Sequence, residues 1–316
     1  MDVFGDIAFL AGGLVLLFFG GEGLVRGSTA IAERSGFSRL IVGLVIVGFG
    51  TSAPELLVSV QAALGGAPDI AVGNVVGSNI ANILLIVGIS AAMVPLINDD
   101  PAIRRDLLVM LAASALIVLI FQGGTIGRFT GAAMFAALLV YLAMSYHAEK
   151  RRLARSRNTE SVVAVPEMKP LIAVAAVLAG IAMLVLGARL MVDGATSLAL
   201  HLGISEAVIG LTIVAIGTSL PELATAIIAA RKREVDVILG NVVGSNIFNI
   251  LCILGVTAMI EPIAVAERFA LIDGPLMLAL SFASLAFLFA YQRIGRLAGA
   301  AMLVLYAVYI GAQNAV

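Results

Sequence analysis

Gly48-Phe49-Gly50-Thr51-Ser52-Ala53-Pro54-Glu55 interrupts an apolar stretch long enough to cross a membrane, and a near copy follows at Ala215-Ile216-Gly217-Thr218-Ser219-Leu220-Pro221-Glu222. A proline lacks the N–H of a helical turn and its ring clashes with the carbonyl four residues back, so each segment predicts a broken helix. Carbonyls around Gly48 to Thr51 are expected to lose their helical partners there, which lipid tolerates only beside protein or a water-filled cavity. Thr51 and Ser52 stand four and three residues before Glu55, which puts all three on one face. A carboxylate at such depth costs roughly 2.5–3.5 kcal/mol and marks an ion or substrate path by default.

A second repeated stretch, Gly-Asn-Val-Val-Gly-Ser-Asn-Ile, occurs at 73–80 and at 240–247, with the same offset that separates Glu55 from Glu222. One half of the chain therefore duplicates the other. These stretches supply Ser78 and Asn82, and Ser245 and Asn249, each pair four residues apart on one face. Their glycines form small-xxx-small packing motifs. Asn74 and Asn241 read as helix-end or inter-helix groups.

The rest of the composition excludes a soluble protein. Of 316 residues, 61% are hydrophobic and 12% charged, and the mean hydropathy is +1.11. The net charge of −1 gives no sign of a nucleic-acid partner. About 20 apolar residues make one helical span, and ten spans can be read: 7–25, 40–64, 70–94, 105–122, 129–146, 171–192, 207–230, 235–260, 270–290 and 297–314. The expected fold is an all-α integral membrane protein of ten transmembrane helices in two inverted-topology repeats of five. Residues 1–146 form the first repeat and 171–316 the second, with a polar linker at 147–170. The N-terminus has no basic residue, so the first span is expected to be retained. With both termini outside, 16 of the 19 basic residues fall in inside loops. The positive-inside rule thus favours a multi-pass protein of the cell membrane with a cytoplasmic linker. An odd number of spans per half inverts the second half, which in transporters places the site between the halves near mid-membrane.

All the polar groups collected in the repeats are oxygen donors or amides, the ligand type of hard cations such as Ca²⁺. The two histidines, His147 and His201, lie at segment ends, and the lone Cys252 sits in an apolar run, so zinc or copper is not indicated. Two carboxylates match one divalent cation in charge. The remaining membrane-embedded base is Arg189, expected to pair with Glu22 or to reach the interface, which leaves Glu55 and Glu222 facing a bound cation.

At these motifs the chain resembles the calcium/cation antiporters, specifically the compact prokaryotic sodium/calcium exchangers, over essentially its whole length. The resemblance implies exchange of Ca²⁺ for Na⁺ by alternating access. It makes Glu55 and Glu222 the central calcium ligands, beside backbone oxygens of Thr51 and Thr218. It implies sodium positions at the carbonyls of Gly48 and Ala215 with Ser52, Ser219, Ser78 and Ser245, and it places Asn82 and Asn249 along the middle of the site. Some members carry aspartate where this chain has Asn249, including those that co-transport potassium, so potassium dependence is not expected. Ca²⁺ and Na⁺ are the transported ions and the bilayer is the surrounding partner. No cofactor and no required protein partner is indicated. A proton-coupled calcium exchanger is the alternative, since protons compete for buried carboxylates. A channel would need a continuous polar stripe, and an enzyme a nucleophile–base pair. The sequence offers neither.

Overall fold

The computed structural model describes residues 3–97, 100–156, 168–202 and 217–313. Eleven helices occur among these residues: α1 (Val3–Ser35), α2 (Arg39–Thr51), α3 (Ala53–Leu64), α4 (Pro68–Met93), α5 (Pro101–Phe121), α6 (Arg128–Ser156), α7 (Pro170–His201), α8 (Leu220–Arg231), α9 (Val235–Ile260), α10 (Phe269–Tyr291) and α11 (Arg296–Gln313). Six of them are long and apolar enough to cross a membrane, and seven spans result if α2 and α3, bent by 42° at Ser52, count as one. The fold is thus that of an all-helical, multi-pass membrane protein. α5 carries Arg104, Arg105 and Asp106 in its first turns. Of the seventh expected span, residues 207–216 lie outside the described residues, and α8 covers most of the remainder.

Burial separates two kinds of helix. The apolar window of α9 is 100% buried and that of α4 is 78% buried, whereas those of α1, α6, α7 and α10 lie between 28% and 33%. A helix apolar on all sides sits at the centre of a bundle only if protein surrounds it; α4 and α9, which carry the Gly-Asn-Val-Val-Gly-Ser-Asn-Ile stretches, form that centre.

α1 and α7 pack along each other in opposite directions. A Cβ at Gly13 would meet the carbonyl of Gly187 at 2.7 Å, one at Gly20 the carbonyl of Gly180 at 2.9 Å, and one at Gly27 the carbonyl of Ala173 at 2.7 Å. These glycines recur every seven residues on one face, so the backbones touch where side chains would hold them apart.

The helix ends are joined by two-stranded ribbons: β1 (Leu96–Ile97) pairs antiparallel with β4 (Arg293–Ile294), and β2 (Thr125–Ile126) with β3 (Ile263–Ala264). Each ribbon thus takes one strand from each half. The duplication extends to backbone conformation. Gly66 adopts φ +75°, and Arg233, its counterpart in the second half, holds the same left-handed turn at φ 59° despite its side chain.

Two sequence expectations take a more definite form. α6 runs on to Ser156, so the first part of the 147–170 segment is helix; residues 157–167 lie outside the described residues. The extension is held because Glu149 bonds Arg152 one turn on (2.6 Å) and accepts from the backbone N–H of Ser38 (2.6 Å), just ahead of α2. Glu22 does not pair with Arg189, which is exposed. Its carboxylate instead bridges Arg26 at 2.6 Å and Lys232 at 2.8 Å, linking α1 to the end of α8.

Candidate cation-binding site

The chain bends where the sequence demands it. α2 ends at Thr51, Ser52 falls outside helical geometry (ψ 5°), and α3 resumes with Pro54 in its first turn. Proline fits there because its missing N–H belongs to a group that has no partner anyway. The carbonyl of Gly48 is less free than expected. It keeps the N–H of Ser52 at 3.2 Å and also accepts the hydroxyl of Ser245 at 3.3 Å, because the turn before the break stays helical. The carbonyl that Pro54 cannot serve is that of Gly50. α8 repeats the arrangement, with Ser219 as the turn residue and Pro221 and Glu222 in its first turn.

Both carboxylates are buried: Glu55 and Glu222 are each 1% exposed. They lie close enough to interact electrostatically. The hydroxyl of Ser52 donates to Oε1 of Glu222 at 3.4 Å, crossing from one half to the other. Ser219 donates to Ser78 at 3.4 Å. The threonine hydroxyls reach asparagines across the halves: that of Thr51 lies 3.0 Å from the carbonyl of Val47 and 3.3 Å from Oδ1 of Asn241, and that of Thr218 donates to Oδ1 of Asn74 (3.3 Å). Asn74 in turn donates to the backbone carbonyl of Glu55 (3.1 Å) and to Ser59 (2.9 Å), tying α4 to α3.

At the centre, four asparagines form a reciprocal network. Asn82 donates to Oδ1 of Asn246 at 3.0 Å, and Asn249 donates to Oδ1 of Asn79 at 2.9 Å. Asn79 also donates to the backbone carbonyl of Asn246, its own counterpart in the repeat, at 3.3 Å. With their NH₂ groups so engaged, Asn82 and Asn249 turn their carbonyl oxygens elsewhere. A π-helical turn begins at each of them, Asn82–Ile86 and Asn249–Leu254. Such bulges often occur at functional sites, where they re-aim side chains within a helix.

Oε2 of Glu55, Oε2 of Glu222, Oδ1 of Asn82 and Oδ1 of Asn249 are all buried, and none accepts a hydrogen bond. Buried acceptors are normally satisfied, since each one left bare costs about 1–3 kcal/mol and a charged one more. Four bare oxygens, two from each half and all acceptors, suit a bound cation and offer nothing to an anion. Among the described residues no three of His, Cys, Asp and Glu cluster, so the acidic donors come as a pair.

Hydrogen bonds group the expected residues locally: Ser52 with Glu222 and Gly48, Ser245 and Thr51 with Gly48, Ser219 with Ser78, Thr218 and Glu55 through Asn74, and Asn82 and Asn249 through the central asparagines; Ala215 lies outside the described residues. A cavity of ≈ 460 Å³ runs along α4 from Asp69 in its first turn past Asn74 to Ser78, with Thr218 and Arg268 also on its wall. The sequence reading counted Asn79 and Asn246 only among the neutral groups that could complete a coordination shell, not as partners that position Asn82 and Asn249. It also passed over the buried Asp106 and Asp273, bonded to Arg105 at 2.7 Å and to Arg268 at 2.9 Å. The repeat itself carried the signal, since those two aspartates occupy equivalent positions in the two halves.

Buried helices, a broken helix bearing a membrane-embedded carboxylate, and bare oxygens contributed by both halves define a membrane transport protein for cations. The chain belongs to the sodium/calcium exchanger protein family, whose model matches residues 6–147 and 172–314. It is 33% identical to the sodium/calcium exchanger MaX1 of Methanosarcina acetivorans, over 94% of this chain and 95% of that protein. It is 39% identical to the inner membrane protein YrbG of Escherichia coli, over 81% of this chain and 80% of that one. A solved structure of the sodium-calcium exchanger NCX_Mj, soaked with zero Na⁺ and Ca²⁺, superposes with a TM-score of 0.86 at 30% identity, covering 99% of this chain and 100% of that one.

Proposed function

We propose that the chain is a secondary antiporter that exchanges Ca²⁺ for Na⁺, with Glu55 and Glu222 as the calcium ligands. The observation that carries this reading is the set of four bare buried oxygens on Glu55, Glu222, Asn82 and Asn249. Two carboxylates deprived of water repel each other, and one divalent cation between them neutralises both while supplying the missing partner. Backbone oxygens of Thr51 and Thr218 stand beside them. Na⁺ competes for the same oxygens and for flanking positions formed by Gly48 and Ala215 carbonyls with Ser52, Ser219, Ser78 and Ser245. The contact of Ser245 with the Gly48 carbonyl and that of Ser219 with Ser78 support this grouping. Because the ions share one site, only one kind occupies it at a time, and exposure to the two sides in turn couples the two gradients.

The site stands between two five-span repeats of opposite sense, ten spans in all. Antiparallel α1 and α7, ribbons that take one strand from each half, and hydrogen bonds between equivalent residues of the two copies support that architecture. In the cell membrane both termini face outward and the segment between α6 and α7 is cytoplasmic, as the distribution of basic residues favours. Asn249 is neutral, so no third carboxylate is present and exchange proceeds without potassium.

The test is uptake of radioactive calcium into proteoliposomes under separately imposed sodium and proton gradients. An outward sodium gradient is expected to drive uptake, and Glu55→Gln and Glu222→Gln are each expected to reduce it to background. Uptake driven by a pH gradient without sodium, or sustained exchange in either variant, overturns the reading.

A further inference from the structure

Beside the β1–β4 ribbon lies a second cavity, of ≈ 580 Å³, away from the ion site, with Ile97, Phe287, Tyr291, Arg293, Arg296 and Leu297 on its wall. Arg293 and Arg296 are exposed, and among the described residues neither has a carboxylate partner. Other arginines of the chain do. Arg39 holds Glu234, Arg105 holds Asp106, Arg152 holds Glu149 and Arg268 holds Asp273, all within 2.9 Å. At the other ribbon the equivalent positions are Thr125 and Arg128, since Ile97 pairs with Arg293 as Ala264 pairs with Thr125, so the second guanidinium, that of Arg293, is particular to this end and is not required by the fold. Around the two charges the surface is apolar and outward-facing: Leu297 is 89% exposed, Tyr291 65% and Ile97 54%. Nearby, the guanidinium of Arg104 lies 5.2 Å above the ring of Phe289, which adds a third positive group at this end of the molecule.

We propose that this cavity binds one anionic phospholipid, with Arg293 and Arg296 on the phosphate and an acyl chain along Leu297 and Phe287. A guanidinium matches phosphate oxygens in planar, two-pronged geometry. A free phosphate would leave the apolar wall in water, whereas a lipid covers it with hydrocarbon. A zwitterionic headgroup brings its own ammonium against two unpaired positive charges. The leaflet concerned rests on the topology proposed above, which puts this ribbon on the cytoplasmic side, where basic pockets between helices receive anionic headgroups.

The test is lipid titration of the purified, detergent-solubilised full chain, read as the rise in melting temperature. Phosphatidylglycerol is expected to give a saturable rise, and phosphatidylcholine or inorganic phosphate none. The Arg293→Gln/Arg296→Gln variant should need roughly tenfold more phosphatidylglycerol, while Arg293→Lys/Arg296→Lys, which keeps the charge, and Arg128→Gln at the other ribbon should respond more nearly as the wild type does. An equal response to phosphatidylcholine, a full response to phosphate alone, or an unchanged response in the double glutamine variant overturns the proposal. No ion flux enters the readout, so a failure here leaves the exchanger assignment standing, and the reverse holds as well.

Discussion

On the proposed assignment, Asn246 governs a site that it does not line. Its Oδ1 accepts from Asn82, its backbone carbonyl accepts from Asn79, and its own NH₂ reaches the sulfur of Met110 at 3.4 Å. Removing that side chain leaves the NH₂ of Asn82 without its partner, and the amide is free to turn its carbonyl away from the cation. The hydrogen bond is worth about 0.5–1.5 kcal/mol, so Asn246→Ala is expected to weaken apparent calcium affinity roughly two- to tenfold. Concentration dependence of uptake measures this, with maximal rate changing less than affinity. The burial of Glu55 and Glu222 was legible in the sequence, because a carboxylate inside an apolar run has few explanations. The roles of Asn79 and Asn246 were not, because an amide in a small-xxx-small stretch serves equally well for packing, and only the folded contact between α4 and α9 distinguishes the two. The freed carbonyl, that of Gly50, falls within the stretch from Gly48 to Thr51 that the sequence indicated, since sequence locates a helix break only to within a turn.

At the scale of elements, the α1–α7 seam makes the sharpest demand. A methyl group at Gly13 would stand 2.7 Å from the carbonyl of Gly187 and 2.7 Å from Cγ of Met191, whereas one at Gly12 meets only Cδ1 of Leu190 at 3.9 Å. Gly13→Ala must therefore push the helices apart, at an expected cost of about 1–3 kcal/mol. Gly12→Ala relieves the backbone entropy of a helical glycine and should be neutral or mildly stabilising. Thermal unfolding of the two adjacent variants in detergent separates these outcomes. The apolar runs gave the positions of most helices, yet α1 extends ten residues beyond its expected end and α6 a similar distance, because ion pairs and caps at the membrane surface carry a helix past the point where hydropathy stops. The ribbons went unforeseen for a related reason. Strands of two residues have no periodicity to detect, and their partners lie in the opposite half.

For the whole molecule, the exchange ratio sets the response to voltage. If three Na⁺ cross for each Ca²⁺, one net charge moves per cycle, and the driving force changes by about 2.3 kcal/mol per 100 mV. A potassium diffusion potential imposed on proteoliposomes should then accelerate or retard calcium uptake according to its sign, and a ratio of two to one would leave uptake unaffected. Orientation is open to a direct check, because the single cysteine, Cys252, is buried. In a Cys252→Ala background, Arg296→Cys is expected to react with an impermeant thiol reagent only from the cytoplasmic side, and Glu261→Cys only from outside. The duplication itself was readable from two motif pairs alone, while the depth of burial of α4 and α9 required the assembled bundle.

The reciprocal bonds between Asn79 and Asn246 and between Asn249 and Asn79 have a consequence for how the polypeptide can be divided. Neither half contains the acceptors for its own central amides, and hydrocarbon provides no substitute. A chain severed between α6 and α7 should consequently regain calcium uptake only when both fragments are co-expressed, by complementation, and either fragment alone should be cleared by proteolysis.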